Sequence, residues 1–465
     1  MTKPTSTDQP SHSGKPRSSF SGKMGYVLAV AGSAVGLGNI WRFPYLAAKY
    51  GGGIFLLVYL ILMLTFGYAL IVSETALGRM TKKSPVGAFR SFGKSLPFRF
   101  GGWVNAVIPM LIVPYYCVIG GWVTKYLFEY IRGNAVTLAE DAYFSGFISS
   151  GAIVEFWLVV FTFFIFLVIV AGVKQGVERV SKIMMPVLVI LAIFVSLYSI
   201  TRPGAMEGVK YLLIPNLGNF SWMTVVAAMG QMFYSLSIAM GILYTYGSYL
   251  KKEVDIEKST SQVEIFDTAI AVLAGLMIIP AVFAFSGGSP DTLQAGPSLM
   301  FITIPKVFAN MEMGDGVGIL FFLLVLFAAL TSAISLTETS VSTFEDQFGW
   351  SRRKCSLLMA VIILVLGSAS ALGFSSLDFV TLLGMSILDF FDFLTNSIMM
   401  PLAALATCFL ITRVVGLDAI AREVEQSSAF RRKKLYFFFM KYLAPVCIGI
   451  ILISSIANAF GWISM

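Results

Sequence analysis

Apolar residues fill this chain in runs of about 20, each long enough for a helix to cross a hydrocarbon core of roughly 30 Å, and short polar stretches separate the runs. Eleven runs begin near Met24, Ile54, Trp103, Ile153, Ser181, Trp222, Gln262, Val317, Cys355, Phe379 and Tyr436. The pattern predicts an all-α polytopic membrane protein with eleven transmembrane helices. Two runs are interrupted. Residues 31–44 read Ala-Gly-Ser-Ala-Val-Gly-Leu-Gly-Asn-Ile-Trp-Arg-Phe-Pro. Glycine weakens a helix there, and backbone groups freed at membrane depth must find protein, water or an ion. Gly32 and Gly36, four apart, also suit a close helix-packing face. Packing does not account for Gly38-Asn39 followed by Arg42 and Pro44. The second interruption lies five spans later, in residues 230–241, Gly-Gln-Met-Phe-Tyr-Ser-Leu-Ser-Ile-Ala-Met-Gly. Broken helices at equivalent places of two five-span halves point to an inverted 5+5 repeat with a midplane site. Half-helix N-termini suit a carboxylate, and unwound carbonyls suit a small cation. The expected organisation is a cytoplasmic tail over residues 1–23, five-helix repeats over 24–200 and 201–413, and a cytoplasmic loop with the eleventh helix over 414–465.

Composition agrees with the pattern: 57% of residues are hydrophobic and 12% charged, against roughly a quarter charged in soluble domains. A net charge of +8 raises nucleic acid as a partner, and the placement of the charge removes it. Most of the 33 basic residues fall in the tail and alternate loops, which by the positive-inside rule puts the N-terminus in the cytoplasm of a multi-pass protein in a cell inner membrane. The polar start lacks the apolar core and cleavage site of a signal peptide, so the first span is expected to stay in the product. The four cysteines lie in or beside spans, and no pairing outside the cell follows from them.

The single histidine, His12, lies in the polar tail, which leaves no imidazole for a catalytic triad, a histidine-ligated metal or a proton relay. Neither a Walker sequence nor a glycine-rich nucleotide loop is present. The chain is therefore expected not to be an enzyme or an ATP-driven pump. A channel would need rings of identical groups around a continuous pore, whereas here the polar groups converge within one chain.

Residues 34–45, Ala-Val-Gly-Leu-Gly-Asn-Ile-Trp-Arg-Phe-Pro-Tyr, the Gly-Gln-x-Phe-x-x-Leu-Ser run at 230–237 and the Tyr115-Tyr116 pair resemble the neurotransmitter:sodium symporter family, in particular its bacterial amino-acid transporters with the leucine-transporter fold. The resemblance covers nearly the whole chain. It implies chloride-independent, sodium-coupled import of an amino acid by alternating access, with two sodium sites. The first would use the Ala34 carbonyl, Asn39, Ser235 and Asp267 together with the substrate carboxylate, all oxygen ligands suited to a hard cation. Asp267 would either ligate sodium or supply the negative charge that chloride supplies elsewhere in the family; alternatively it is an acid bonded to backbone. The second site would use carbonyls of Gly32, Val35 and Ala328 with hydroxyls of Thr331 and Ser332. Taken alone, a Thr-Ser pair in a helix more often bonds its own i−4 carbonyls.

By the same resemblance, Tyr116 would bind the substrate carboxylate, and Ala34, Gly36, Leu37 and Gly38 would line the main-chain end. Ser33, Ile112, Tyr234, Ser237, Met240, Ser332 and Leu336 would shape the side-chain pocket for an apolar or aromatic group, with Ser235 touching both substrate and sodium, although Tyr234 and Met240 alone fit ordinary packing equally. Gly36 stands where amine-transporting relatives carry Asp, so the substrate is expected to keep its carboxylate. Charges in apolar spans are costly and default to function. Arg42 and Asp392 match an outer gate; Arg17 and Asp346 match an inner gate, with Phe20 where relatives often have Trp and Tyr249 as a further closing residue. Glu74 is expected to support the first broken helix, and Glu338 and Asp389 are further acids in apolar spans for which a satisfied structural role stands as the alternative. Gly176 and Pro186 match a family spacing at which the fifth helix can unwind.

Overall fold

The computed structural model describes residues 18–287 and 296–459. Among these, nine helices are long and apolar enough to cross a membrane: Gly53–Thr81, Leu96–Ile131, Gly151–Val170, Val173–Ile200, Ile256–Ser286, Gly314–Phe348, Arg352–Leu372, Ile387–Val415 and Lys433–Asn458. The first span is a bent pair, Lys23–Ala34 and Gly38–Lys49, turning by 52°. The sixth consists of two helices, Trp222–Ser235 and Ile242–Ser248, flanking a non-helical stretch. The eleven-segment, all-α expectation thus holds, and both breaks fall where the sequence placed them.

Span ends differ where composition misleads. The third, fifth and seventh spans begin earlier than the apolar runs, at Leu96, Val173 and Ile256, and in the seventh a side-chain cap holds the polar extension. Asp255 accepts from Lys258 N at 2.9 Å, filling one of the unpaired donors of the first turn. The tenth span begins later than expected, at Ile387 rather than near Phe379. Phe379 and Leu383 are exposed, and left-handed Leu383 and Gly384 turn the chain through a Leu382–Met385 bridge. The fifth span opens with a wide π-helical turn, Val173–Glu178, at the position of the Gly176 expectation.

The first span is buried from Gly25 to Ile40 and packs against the fifth, seventh and eighth spans. Spans four, five, nine and eleven form the periphery and expose apolar side chains such as Phe156, Phe163, Ile190, Leu357 and Ile453. A polar solvent would penalise that surface, and a bilayer satisfies it.

Candidate functional site

The two breaks meet at the centre of the bundle. Val35 ends the first half-helix with extended geometry, φ −77° and ψ 94°. In the sixth span Ser237, Ala239 and Gly241 all have positive φ. For the two non-glycine residues that geometry costs about 1–2 kcal/mol each, so side chains must hold it. Ala239 N donates to Glu74 Oε1 at 2.9 Å, Ser237 Oγ donates to the Ser33 carbonyl at 3.1 Å, and Gln231 Nε2 donates to the Gly38 carbonyl at 3.1 Å. Glu74 therefore supports the sixth span's break, not the first's as expected from sequence. An extended peptide leaves backbone N–H groups free in either broken helix, and the fold aims this carboxylate at the sixth.

Between the breaks lies a cavity of about 30 Å³. Ser33, Ala34, Gly36, Leu37 and Gly38 contribute from the first span, Ile112 and Tyr116 from the third, Tyr234, Ser235, Ser237 and Met240 from the sixth, and Ser332 and Leu336 from the eighth. All thirteen residues expected around the substrate thus converge on one space, which Asn39 and Ile242 complete. A water needs about 10–15 Å³ by this measure, so an amino acid enters only if the walls yield. Met240, unbranched, and Tyr234, partly buried, are the walls able to yield. Gly36 cannot carry a larger side chain, since a Cβ there would stand 2.6 Å from Ser332 Oγ and 3.2 Å from Tyr116 Oη. Tyr116 Oη accepts from Leu37 N at 3.3 Å, which keeps a hydroxyl beside the unwound main chain.

At one end of the cavity Asp267 is fully buried. Its Oδ1 accepts from Ser235 Oγ at 2.7 Å and Asn39 Nδ2 at 2.9 Å, and its Oδ2 accepts from Tyr59 Oη at 2.7 Å. Among the described residues no basic side chain lies within 4.0 Å of it. A dehydrated carboxylate served only by neutral donors favours a neighbouring cation or a proton. These contacts are to side chains, so the backbone-bonded alternative falls away.

A second cluster of oxygens gathers where the first and eighth spans touch. Ser332 Oγ stands 3.4, 3.1 and 3.4 Å from the carbonyls of Gly32, Ser33 and Val35, and Thr331 Oγ1 reaches the carbonyls of Phe327 and Ala328 at 3.0 and 3.1 Å. Thr331 makes the back-bonds expected of a helical threonine, whereas Ser332 reaches across to the broken helix.

A vestibule of about 380 Å³ lies above the cavity and shares Leu37, Tyr116 and Tyr234 with it. Arg42 and Asp392 both line it. Arg42 sits 5.4 Å over the Tyr234 ring, and Asp392 Oδ1 accepts from Tyr115 Oη at 3.1 Å and Asn396 Nδ2 at 2.7 Å. Among the described residues no ion pair within 4.0 Å joins them, so this gate is not latched. The opposite side is closed. Phe20 is buried and meets Tyr26, Tyr246 and Tyr249 edge-on. Tyr249 Oη donates to Glu338 Oε1 at 2.7 Å, and Glu338 pairs with Arg352. Asp346 Oδ2 accepts from Ser84 N at 2.6 Å; its expected partner Arg17 lies outside the described residues.

Several contributors escaped the sequence reading. Tyr59 sits in an apolar run and gives no polar signal. Arg352 stands beside two other basic residues, Arg353 and Lys354, and nothing local sets it apart. Glu178, whose carboxylate takes Ser21 N at 2.9 Å and pairs with Lys182, lies in a charged stretch between two apolar runs. The signal available for it was its position two residues after Gly176.

Comparison with known proteins agrees with this arrangement. The family described as the Sodium:neurotransmitter symporter family matches residues 17–139 and 129–461. An uncharacterized sodium-dependent transporter of Bacillus subtilis, YhdH, is 34% identical over 94% of this chain and 97% of its own length, and a sodium-dependent transporter of Haemophilus influenzae is 32% identical over 95% and 99%. The sodium- and chloride-dependent taurine transporter of Rattus norvegicus is 27% identical over 95% of this chain and 79% of its own length. The crystal structure of MhsT in complex with L-phenylalanine superimposes with a TM-score of 0.85 at 37% identity, covering 94% of this chain and all of MhsT. With both broken spans, the buried oxygen clusters and these full-length matches in hand, the chain belongs to the sodium:neurotransmitter symporter family, whose members are sodium-dependent membrane transporters and not enzymes.

Proposed function

We propose that this protein is a sodium-coupled symporter that imports amino acids with apolar or aromatic side chains, without chloride, across a cell inner membrane with its N-terminus in the cytoplasm. The observation that carries the reading is the fully buried Asp267, held by Asn39, Ser235 and Tyr59 at the edge of the cavity between the two breaks. One sodium would sit there, ligated by oxygens of Ala34, Asn39, Ser235, Asp267 and the substrate carboxylate. A second would lie among the carbonyls of Gly32, Val35 and Ala328 and the hydroxyls of Thr331 and Ser332.

Gly36 leaves room for a carboxylate beside Tyr116, and Ile112, Met240 and Leu336 give the far end an apolar wall. The MhsT complex contains L-phenylalanine, which supports a substrate of that class here. Alternating access follows from the asymmetry of the two sides. With the vestibule facing out, substrate and sodium would draw Tyr234 and Arg42 toward Asp392, and release would need the cytoplasmic Phe20–Tyr249–Glu338–Arg352 closure to part. The test is a thermal-shift screen of the twenty amino acids in sodium and in potassium. A ligand at 100 times its Kd adds roughly 2.7 kcal/mol of stability. Stabilisation by phenylalanine-, tryptophan- or leucine-like amino acids in sodium alone is expected; stabilisation by none of the twenty would overturn the reading.

A further inference from the structure

Away from the central site, the end of the bundle rich in basic residues carries an apolar groove of about 290 Å³ between the start of the third span and the tenth. Its walls include Phe89, Phe98, Phe100, Leu405 and Phe409. The two spans approach closely beneath it, because a Cβ on Gly101 would stand 2.5 Å from the Phe89 ring and 3.1 Å from Ala406 Cβ. The groove opens toward the bilayer: Leu96 is 77% exposed, Phe100 54% and Phe409 57%. A concavity of this kind at membrane depth suits an acyl chain, since water there would find no polar partners.

The mouth is electrostatically different from the walls. Lys94 lies in the non-helical residues just before the third span, three residues ahead of Pro97, and Arg413 follows Leu410 and Phe409 by three and four in the helical end of the tenth span, about one turn beyond those lining side chains. Arg99 lies between two of the lining residues. All three are exposed, and none has an acidic partner within 4.0 Å among the described residues. A basic rim on an apolar interhelical groove is the combination that holds the headgroup of an anionic lipid.

We propose that this groove is a binding site for an anionic phospholipid, with an acyl chain against Phe98, Phe100 and Phe409 and the phosphate between Lys94 and Arg413. General attraction of a positive-inside protein for an acidic leaflet makes a different prediction, because it depends on charge number and not on place. The full-length protein is reconstituted in mixed phosphatidylglycerol and phosphatidylcholine, released into the gas phase, and scored for retained lipid by native mass spectrometry. The Lys94→Gln/Arg413→Gln pair should weaken phosphatidylglycerol retention about fivefold per charge removed and leave phosphatidylcholine unchanged. Removing two equally exposed cations elsewhere, Lys174→Gln/Arg353→Gln, should do neither. Leu405→Trp, which fills the groove and leaves the charges, should lower retention of both lipids. Equal losses in the two charge pairs, no loss in the first, or unchanged retention in Leu405→Trp would each overturn the site.

Discussion

Replacing Asp267 removes a negative charge from a place where nothing else supplies one. The carboxylate is fully buried, takes three hydrogen bonds at 2.7–2.9 Å from neutral groups, and has no cationic side chain within 4.0 Å among the described residues. At about 4 Å and an effective dielectric near 20, a unit charge interacts with sodium by roughly 4 kcal/mol, equivalent to about three decades of affinity. Asp267→Asn keeps the shape and also turns one acceptor into a donor facing Tyr59 or Ser235, a mismatch worth a further 1–3 kcal/mol. Asp267→Ser opens space instead. Uptake measured against sodium concentration in gluconate should show half-saturation rising by two to three orders of magnitude in both variants. Repeating it in chloride should restore part of the activity of the serine variant, as a small anion takes the vacated volume, while wild type should be indifferent to the anion. A wild type that already requires chloride, or an asparagine variant with unaltered sodium dependence, would refute the reasoning.

Gly36→Ala should weaken amino-acid binding at least tenfold, since its Cβ would press on Ser332 Oγ and Tyr116 Oη; equilibrium binding reads this. For the same reason, tryptamine should compete far more weakly than tryptophan for uptake, and equal competition would contradict a carboxylate-directed site. Asp392→Ala should slow transport at limiting substrate while leaving thermal stability nearly intact, because Asp392 faces an open vestibule and leaves behind no ion-paired partner within 4.0 Å. Glu338→Gln should act on the other side: with Arg352 and Tyr249 losing their shared carboxylate, cysteines placed below Phe20 should become more accessible to a membrane-impermeant thiol reagent.

Much of the fold was legible because a bilayer leaves few options. Apolar runs near 20 residues must be helices, so the spans followed, and glycine, serine and asparagine at membrane depth marked both breaks. The same reasoning located the site between the two breaks, whereas the individual pocket and sodium residues were legible only through the resemblance carried by residues 34–45, 230–237 and the Tyr115-Tyr116 pair. What remained hidden needed three dimensions. The mostly apolar residues 377–383 do not announce that Leu383 and Gly384 adopt left-handed geometry, so the hydropathy pattern starts the tenth span too early. Glu74, an acid within an apolar span, points to a role at a break, yet only the packing of the second span decides which break it serves. Tyr59 acts through Ser235 and Asp267, 176 and 208 residues away, and Arg352 through Glu338, 14 residues away across a helix end, so neither carries a local pattern.

The central claim, sodium-driven amino-acid import, is tested most directly in proteoliposomes holding the purified protein. With an inward sodium gradient in chloride-free gluconate buffer, labelled L-phenylalanine or L-tryptophan should accumulate above equilibrium and saturate with concentration, and the accumulated label should leave once an ionophore dissipates the gradient. Uptake that proceeds equally with potassium in place of sodium, or that never exceeds equilibrium, would contradict the account.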